Sequence, residues 1–457
     1  MKWGEVMEKE LLLEKIKASL QKGDSRELFE KIEDLHPPDI AEILPDLKEE
    51  EQKLLFKLLP HDIAAEVLNE VDGDTFASVL DNLTEEKTTE ILDEMSLDDV
   101  ADILGELSES EQTKIIEYFD HDDATDIRDL MQYNEDTAGG IMTTEFISVR
   151  EDMTIDQAIE ELRHMEKDAE TIYYVYVTDY IGVLVGVLSL REIIMSPPDL
   201  LVSEIMQSNV IYVNVNTDQE EVAKLVAKYD LLAIPVVDNE TILQGIITVD
   251  DILDVIEEEA TEDIFRIAGT GEMEYDENDT VAAHLKSSVK SRLPWLMITL
   301  VGSFITGAVI SGFESQISSN AELVKFMPAL TGMGGNIGTQ SSTLTVRGIA
   351  TGKINTKEIS KILLRESAVG IFIGIICGIC ISLVADLIFN QPQLGPIVGI
   401  AMAANMLTAS TIGTLAPLVF KNVGIDPAVA SAPFISTTID ITGNIIYFSL
   451  VKLLTGI

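Results

Sequence analysis

Cysteine is nearly missing from this 457-residue chain: two occur, Cys377 and Cys380, inside one apolar stretch. Two thiols build no disulfide framework, and a structural zinc site needs four ligands, so the pair reads as filler of an apolar helix. Basic residues are also scarce, 31 Lys and Arg against 79 Asp and Glu. The deficit is uneven. From Lys290 onward there are ten basic and seven acidic residues, which leaves 21 and 72 for residues 1–289, a net charge of −51. Such a surface repels phosphate and excludes nucleic acid as a partner of that half. It suits a domain that binds cations, and equally one that is merely very soluble. The first thirty residues lack a long apolar core and a small-residue cleavage site, so no secretory leader is expected. No P-loop and no nucleophile–base pair is evident, which argues against an enzyme.

What is present is organised around the last apolar run, Ala428 to Leu454, which is long enough to span a bilayer yet carries Asp440 near its middle. A carboxylate at that depth is costly and normally faces a bundle interior or a water-filled path. Ser436, Asp440 and Asn444 are four apart and share a helix face. Pro433 is expected to free backbone carbonyls one turn before Ser436. Oxygen ligands along one side of a membrane helix point to a path for a hard cation. The alternative is a protonated Asp440 bonded to a neighbouring helix.

Five spans are expected, at 293–313, 324–347, 368–389, 397–420 and 428–454. The second is polar and glycine-rich, with Gly334 and Gly338 matching close helix packing beside Asn336, Thr339, Gln340 and Ser341. The fourth carries Asn405, Thr408, Ser410 and Thr411. Lys353, Lys357, Lys361 and Arg365 lie between spans two and three, and Lys290 and Arg292 precede span one. The N-terminus is therefore expected in the cytoplasm and the C-terminus outside, in a multi-pass protein of the cell (inner) membrane. Asp426 then sits at the cytoplasmic mouth, to attract ions or to cap the helix through Pro427.

Upstream, residues 1–135 read as short helices with recurring phrases: PPDIAEIL at 37, PHDIAAEVL at 60, LDDVADIL at 97 and HDDATDIRDL at 121. Their spacing predicts an all-α helical-repeat domain. Asp98 and Asp102 share one helix face and Glu66 a comparable surface, so these acids are helix caps or metal ligands. Between 138 and 258 short β-rich runs alternate with helices, and the pattern is duplicated: GVLSLREII at 186 matches GIITVDDIL at 245. Residues 138–200 and 201–258 thus form two βαββα copies, and 259–292 connect them to the membrane part at 293–457 through an amphipathic stretch, TVAAHLKSSVKSR.

The tandem copies resemble a CBS pair, whose ribose-binding phrase is met by Gly245, Thr248 and Asp251 in the second copy. In the first copy Gly186 and Ser189 are followed by Glu192 in place of Asp. The resemblance makes ATP a candidate ligand of the second copy. Along essentially the whole chain the order of motifs resembles the MgtE family of bacterial magnesium channels and transporters. SLDDVAD at 96, EDTAGGIMT at 135, DAETIYYVYV at 168, TVDDILDVIEEEATEDI at 248, GGNIGTQS in span two and DPAVASAPFISTTIDITG in span five carry it.

That resemblance implies a multidomain fold: an all-α N-domain, an α/β CBS pair and an all-α five-span domain. It implies a homodimer in lipid, selective for Mg²⁺, with Asp440 and the backbone of Ser436 in the pore and Asp426 at its mouth. Ala432 departs from members that carry Asn there. It further implies regulatory Mg²⁺ at three groups: Glu66, Asp98, Asp102 and Gly140; Asp218, Glu220, the Ala227 carbonyl and Asp230; and Asp251, Asp254, Glu259, Glu262 and Asp263. Mg²⁺ bound there would close the path. Transport of Mn²⁺ or Co²⁺, and a membrane-anchored Mg²⁺ sensor, are the competing readings.

Overall fold

Apolar residues three and four apart between 37 and 130 fold into short amphipathic helices: α1 (Pro37–Ala41), α2 (Glu49–Leu58), α3 (His61–Asn69), α4 (Gly73–Asp81), α5 (Glu85–Leu92), α6 (Leu97–Glu106), α7 (Glu109–Ile116) and α8 (Asp123–Leu130). A computed structural model describes residues 13, 16–17, 32, 35–165, 170–271, 281–354, 358–430 and 432–455. Polar caps set the helix starts. The Asp72 carboxylate accepts from the Thr75 amide at 2.8 Å, and Ser108 and Glu111 close a capping box on α7. Alternate helices pack together, α1 on α3, α3 on α5, α4 on α6 and α6 on α8.

The expected duplication is built in three dimensions. The first copy runs β1 (Ser148–Arg150), α9 (Ile155–Met165), β2 (Tyr174–Thr178), β3 (Leu184–Ser189) and α10 (Leu190–Met195), followed by the short α11 (Val202–Ile205). The second runs β4 (Val213–Asn214), α12 (Gln219–Tyr229), β5 (Ala233–Val237), β6 (Leu243–Thr248) and α13 (Val249–Ala268). In each sheet the middle strand pairs parallel with the first and antiparallel with the third, and the register slips at the same place, Val177/Thr178 and Val236/Val237. Val222, Ile234 and Ile247 of the second copy share one buried cluster with Ile40, Phe56, Phe76 and Leu104 of the helices.

The segment after α8 laces the helices to the second copy. Ala138 and Gly139 donate to the carbonyls of Thr217 and Val215, and Thr143 exchanges backbone bonds of 2.8 and 3.0 Å with Ile246. Gly140 sits in a tight turn where a Cβ would fall 2.4 Å from the Asn134 carbonyl oxygen.

Two compact units divide the chain at Ile256/Glu257. The second holds α14 (Val281–Ser311), α15 (Glu314–Ser319), α16 (Met327–Ala350), α17 (Ile359–Leu387), α18 (Gly395–Val423) and α19 (Ala432–Thr455). Among the described residues four helices are long and apolar enough to cross a membrane, within α14, α17, α18 and α19. The run expected as span two forms α16, about 36 Å long at 1.5 Å per residue, but its glycines and amides keep it outside that set. Two expected boundaries vanish inside continuous helices: α13 runs past 258 to Ala268, and the amphipathic stretch before 293 merges with the first span through Pro294. The last span starts later than expected. Pro427–Val429 is a separate 3₁₀ turn, and α19 starts at Ala432.

Candidate functional site

Pro433 occupies the second position of α19, where a missing amide costs nothing. The carbonyl expected to be free there accepts from the Ser436 hydroxyl at 3.2 Å. Asn444 is buried and donates to the main-chain oxygen of Asp440 at 2.7 Å. Of the expected polar stripe, only Asp440 therefore keeps an uncommitted side chain. Its carboxylate is half-buried and has no hydrogen-bond or salt-bridge partner among the described residues.

The polar groups of the other spans are used for packing. A Cβ on Gly338 would strike Ile439, and one on Gly334 would strike the Asn405 amide, so α16 lies directly on α19 and α18. Asn405 donates to the Leu330 carbonyl at 2.7 Å. Thr408 and Thr411 bond back to their own helix, at 2.9 Å to Ala404 and 2.7 Å to Leu407. Asn336 and Gln340, one turn apart on α16, remain exposed.

Asp426 does cap the turn that follows it, accepting from the Ala428 amide at 2.8 Å, and it also pairs with Arg266. Arg266 in turn pairs with Glu262 one turn earlier on α13, so two expected ion ligands share an internal cation. Glu259 and Asp263 are half-buried on the same helix, and Asp254 is exposed.

The densest charge lies in the first unit. Carboxylate oxygens of Asp98 on α6, Asp251 on α13 and Glu170 just before β2 all lie within 4.8 Å of one another. Asp98 is 6% exposed, and its Oδ1 has no partner among the described residues. Burial pushes Asp98 up to about 6, and Asp251 adds to the shift. Asp99 rises to about 7, by burial and then by Asp98; Asp102 also rises to about 7, from the same causes. Glu170, exposed as a residue, reaches about 8, by burial and by Asp98 and Asp251. Burial raises Asp251 too, against hydrogen bonds from Thr248 that lower it.

Thus Asp98 and Asp251, expected in separate groups, face each other. Glu66 is exposed on α3 one turn before Asn69, whose side chain reaches Asp99 on α6. Gly140 packs on the backbone of Glu135, whose carboxylate lies near Gly105 of α6. The remaining group is not brought together. Asp218 caps the start of α12 and Asp230 ends it in a left-handed conformation, about 18 Å apart along the helix. Glu220 pairs with Lys224 at 2.6 Å, and Ala227 is exposed. Glu170 and Asp99 were not singled out in the sequence; Glu170 lies inside the DAETIYYVYV phrase, a signal that was available.

The expected ribose-binding residues are turned to other uses. Thr248 bonds Asp251 through both its amide and its hydroxyl, a capping arrangement, and a Cβ on Gly245 would fall 2.5 Å from the Thr143 carbonyl. A cavity of about 510 Å³ lies instead beside the first copy, lined by Tyr174, Ser189, Arg191, Glu192, Asn209 and Pro235 among others.

Comparison with known proteins agrees along the chain. Residues 35–136 match the MgtE intracellular N domain, 138–198 and 202–258 match CBS domains, and 327–450 match MgtE, a divalent cation transporter. Magnesium transporter MgtE of Thermus thermophilus is 39% identical over 97% of this chain and 99% of its own. That of Bacillus subtilis is 34% identical over 94% of each. The solved cytosolic domain of the Mg²⁺ channel MgtE in complex with ATP is 43% identical, with a TM-score of 0.51, covering 53% of this chain and 99% of its own. This chain belongs to the MgtE family of divalent cation transporters.

Proposed function

We propose that this protein is a Mg²⁺ channel or transporter that mediates magnesium uptake and is closed by Mg²⁺ on its acidic side. The observation that carries the transport reading is Asp440: a half-buried carboxylate without a partner among the described residues, on a helix able to cross a membrane. Mg²⁺ dehydrates reluctantly, so a carboxylate that keeps room for water suits it as cargo. We take α16 as a fifth span, with the N-terminus cytoplasmic and the C-terminus outside. Its exposed Asn336 and Gln340 would be poorly tolerated by lipid. A second copy of this chain would cover them and set two Asp440 side chains across one pore. Asp426 would stand at its mouth, beside the Ser436 backbone.

Regulation rests on the acid cluster, with the helical-repeat N-domain as one of its walls. All donors there are oxygens, and a buried Asp98 oxygen is left without a partner among the described residues. That donor set fits Mg²⁺ better than a softer metal. Asp98, Asp102 and Asp251 would hold it, with Glu66 and the Gly140 backbone alongside. A bound Mg²⁺ supplies the positive charge that cancels their repulsion. Lacking it, α6 and α13 push apart, and α13 carries Glu259, Glu262 and Asp263 onward. Asp218 with Glu220, and Ala227 with Asp230, would serve separate ions at the two ends of α12. Each site biases closure only by its differential affinity for the closed state.

Mg²⁺ uptake into proteoliposomes, read by an entrapped dye, is expected from this protein and absent from protein-free vesicles. Preference for Mn²⁺ or Co²⁺ would reassign the cargo, and no divalent flux at low Mg²⁺ would leave a membrane-anchored sensor. In Asp251→Ala, Mg²⁺-dependent protection of the 259–292 connector against protease should disappear. Unchanged protection would remove Asp251 from the sensor.

The cavity beside the first copy favours a nucleotide there, with Arg191 as the basic lining residue for phosphate. ATP binding should then be lost in Arg191→Glu and survive Thr248→Ala. The reverse pattern would return the site to the second copy.

A further inference from the structure

We infer that Glu170 is a third ligand of the divalent-cation site formed by Asp98 and Asp251, so that one ion ties together three separate segments of the chain. The inference rests on the regulatory reading above and deepens it.

Three features converge. The carboxylate oxygens of Asp98, Glu170 and Asp251 lie within 4.8 Å of one another, a span that one hard cation with oxygen ligands can occupy. Asp98 is more than nine-tenths buried with Oδ1 unpartnered, and its carboxylate faces the other two. A buried acceptor left unmade costs free energy unless something completes it. Glu170 is the most exposed of the three carboxylates and is tied down through its backbone. Its amide donates to the Glu145 carbonyl at 3.0 Å, and the Thr143 side chain adjoins both the Asp98 and the Glu170 carboxylates. Thr143 is fully buried and pinned to β6 through Ile246.

The geometry assigns each ligand to a different part of the fold. Asp98 comes from the helical domain, Glu170 from the head of β2 in the first copy, and Asp251 from the start of α13 in the second. A site built from Asp98 and Asp251 alone reports the position of the helical domain on the second copy. With Glu170 included, the first copy is read as well. The competing way to satisfy three facing carboxyls is a proton shared between them, with no ion at all; the two differ in what replacing Glu170 does.

The test titrates Mg²⁺ against the full-length protein in detergent micelles, reading protease cleavage of the connector and the melting temperature. Glu170→Gln should raise the Mg²⁺ midpoint about tenfold, as loss of one charged ligand does, and Glu170→Asp should recover part of it. Without Mg²⁺ at pH 8.5, where Glu170 is ionised, Glu170→Gln should melt no lower than the parent protein, because one repelling charge is gone. Melting below the parent would mark a structural role and overturn the assignment. An unshifted midpoint in Glu170→Gln beside a shifted one in Asp98→Asn would overturn Glu170 and leave the Asp98–Asp251 site standing, which is also the shared-proton outcome for Glu170. Unshifted midpoints in both would overturn the regulatory reading beneath it.

Discussion

Replacing Asp440 by alanine is expected to abolish Mg²⁺ flux into proteoliposomes, or to leave a leak that no longer prefers Mg²⁺. The size follows from what the carboxylate has to do. Among the described residues it has no hydrogen-bond donor and no cation as partner, so its charge is available to an ion or to ordered water. A charged ligand of this kind contributes on the order of 3 kcal/mol, or about a hundredfold in occupancy. Asp440→Asn keeps the shape but not the charge and should fail similarly, while Asp440→Glu should retain part of the flux. The helix should survive all three changes. Asn444 bonds the backbone oxygen of residue 440 and Ser436 bonds that of Pro433, so neither local anchor uses the Asp440 side chain. Normal, Mg²⁺-selective flux in Asp440→Ala would place the ion path elsewhere in the protein.

The second large effect is a fall in stability with rising pH when Mg²⁺ is absent. An acid whose folded-state pKa is raised contributes stability that is complete below its unfolded value, near 4, and is lost as pH rises through the folded one. Here the folded values are about 6 for Asp98, about 7 for Asp99 and Asp102 and about 8 for Glu170, all raised first by burial, so the loss falls between about pH 5 and 8. Asp98 is the one to convert, because it is 6% exposed. A rise of about two pK units corresponds to about 3 kcal/mol over the whole range from pH 4 to pH 7; about 1 kcal/mol of it, or roughly 2–4 °C in melting temperature for a unit of this size, falls above pH 5.5. Calorimetry of the full chain at pH 5.5 and pH 8, with chelator, should show that drop. Mg²⁺ should restore the pH 8 value and do little at pH 5.5, since the ion needs ionised ligands. A flat or rising profile without Mg²⁺ would show that these acids are already compensated.

Much of this was readable in advance because it is periodic or local. Short β-rich runs announced the two sheets, and the matching phrases at 186 and 245 became strands with the same register slip. Asp440 stood out because lipid permits so few charges. What stayed illegible has a common cause, which is that a short motif does not say what its residues face. Thr248 and Asp251 carry a nucleotide-binding pattern that is also a helix-capping pattern, and the backbone of Thr143 lies against Gly245. Asp98 and Asp251 are 153 positions apart, and nothing local brings them together; the laced segment from Ala138 to Thr143 does. Helix α13 continues past the expected domain edge because no Gly or Pro interrupts it before Gly269, where φ is +74°.

The glycines of the second unit have a mechanical side. Gly370, Gly374 and Gly378 bring α17 against Ser410, Ala403 and Gly399 of α18 so closely that a Cβ on Gly378 would stand 2.5 Å from the Gly399 carbonyl oxygen. Gly413 meets the backbone of Gly338 on α16 in the same way. Helices in backbone contact cannot roll or slide past each other without collision, so α16, α17 and α18 behave as one stiff raft. Helix α14 is different: Gly302 touches Thr437, but Gly307 meets nothing within 4 Å. A push or pull arriving along the chain at Val281 therefore meets a helix whose glycines make none of these contacts with the backbone of a neighbouring helix.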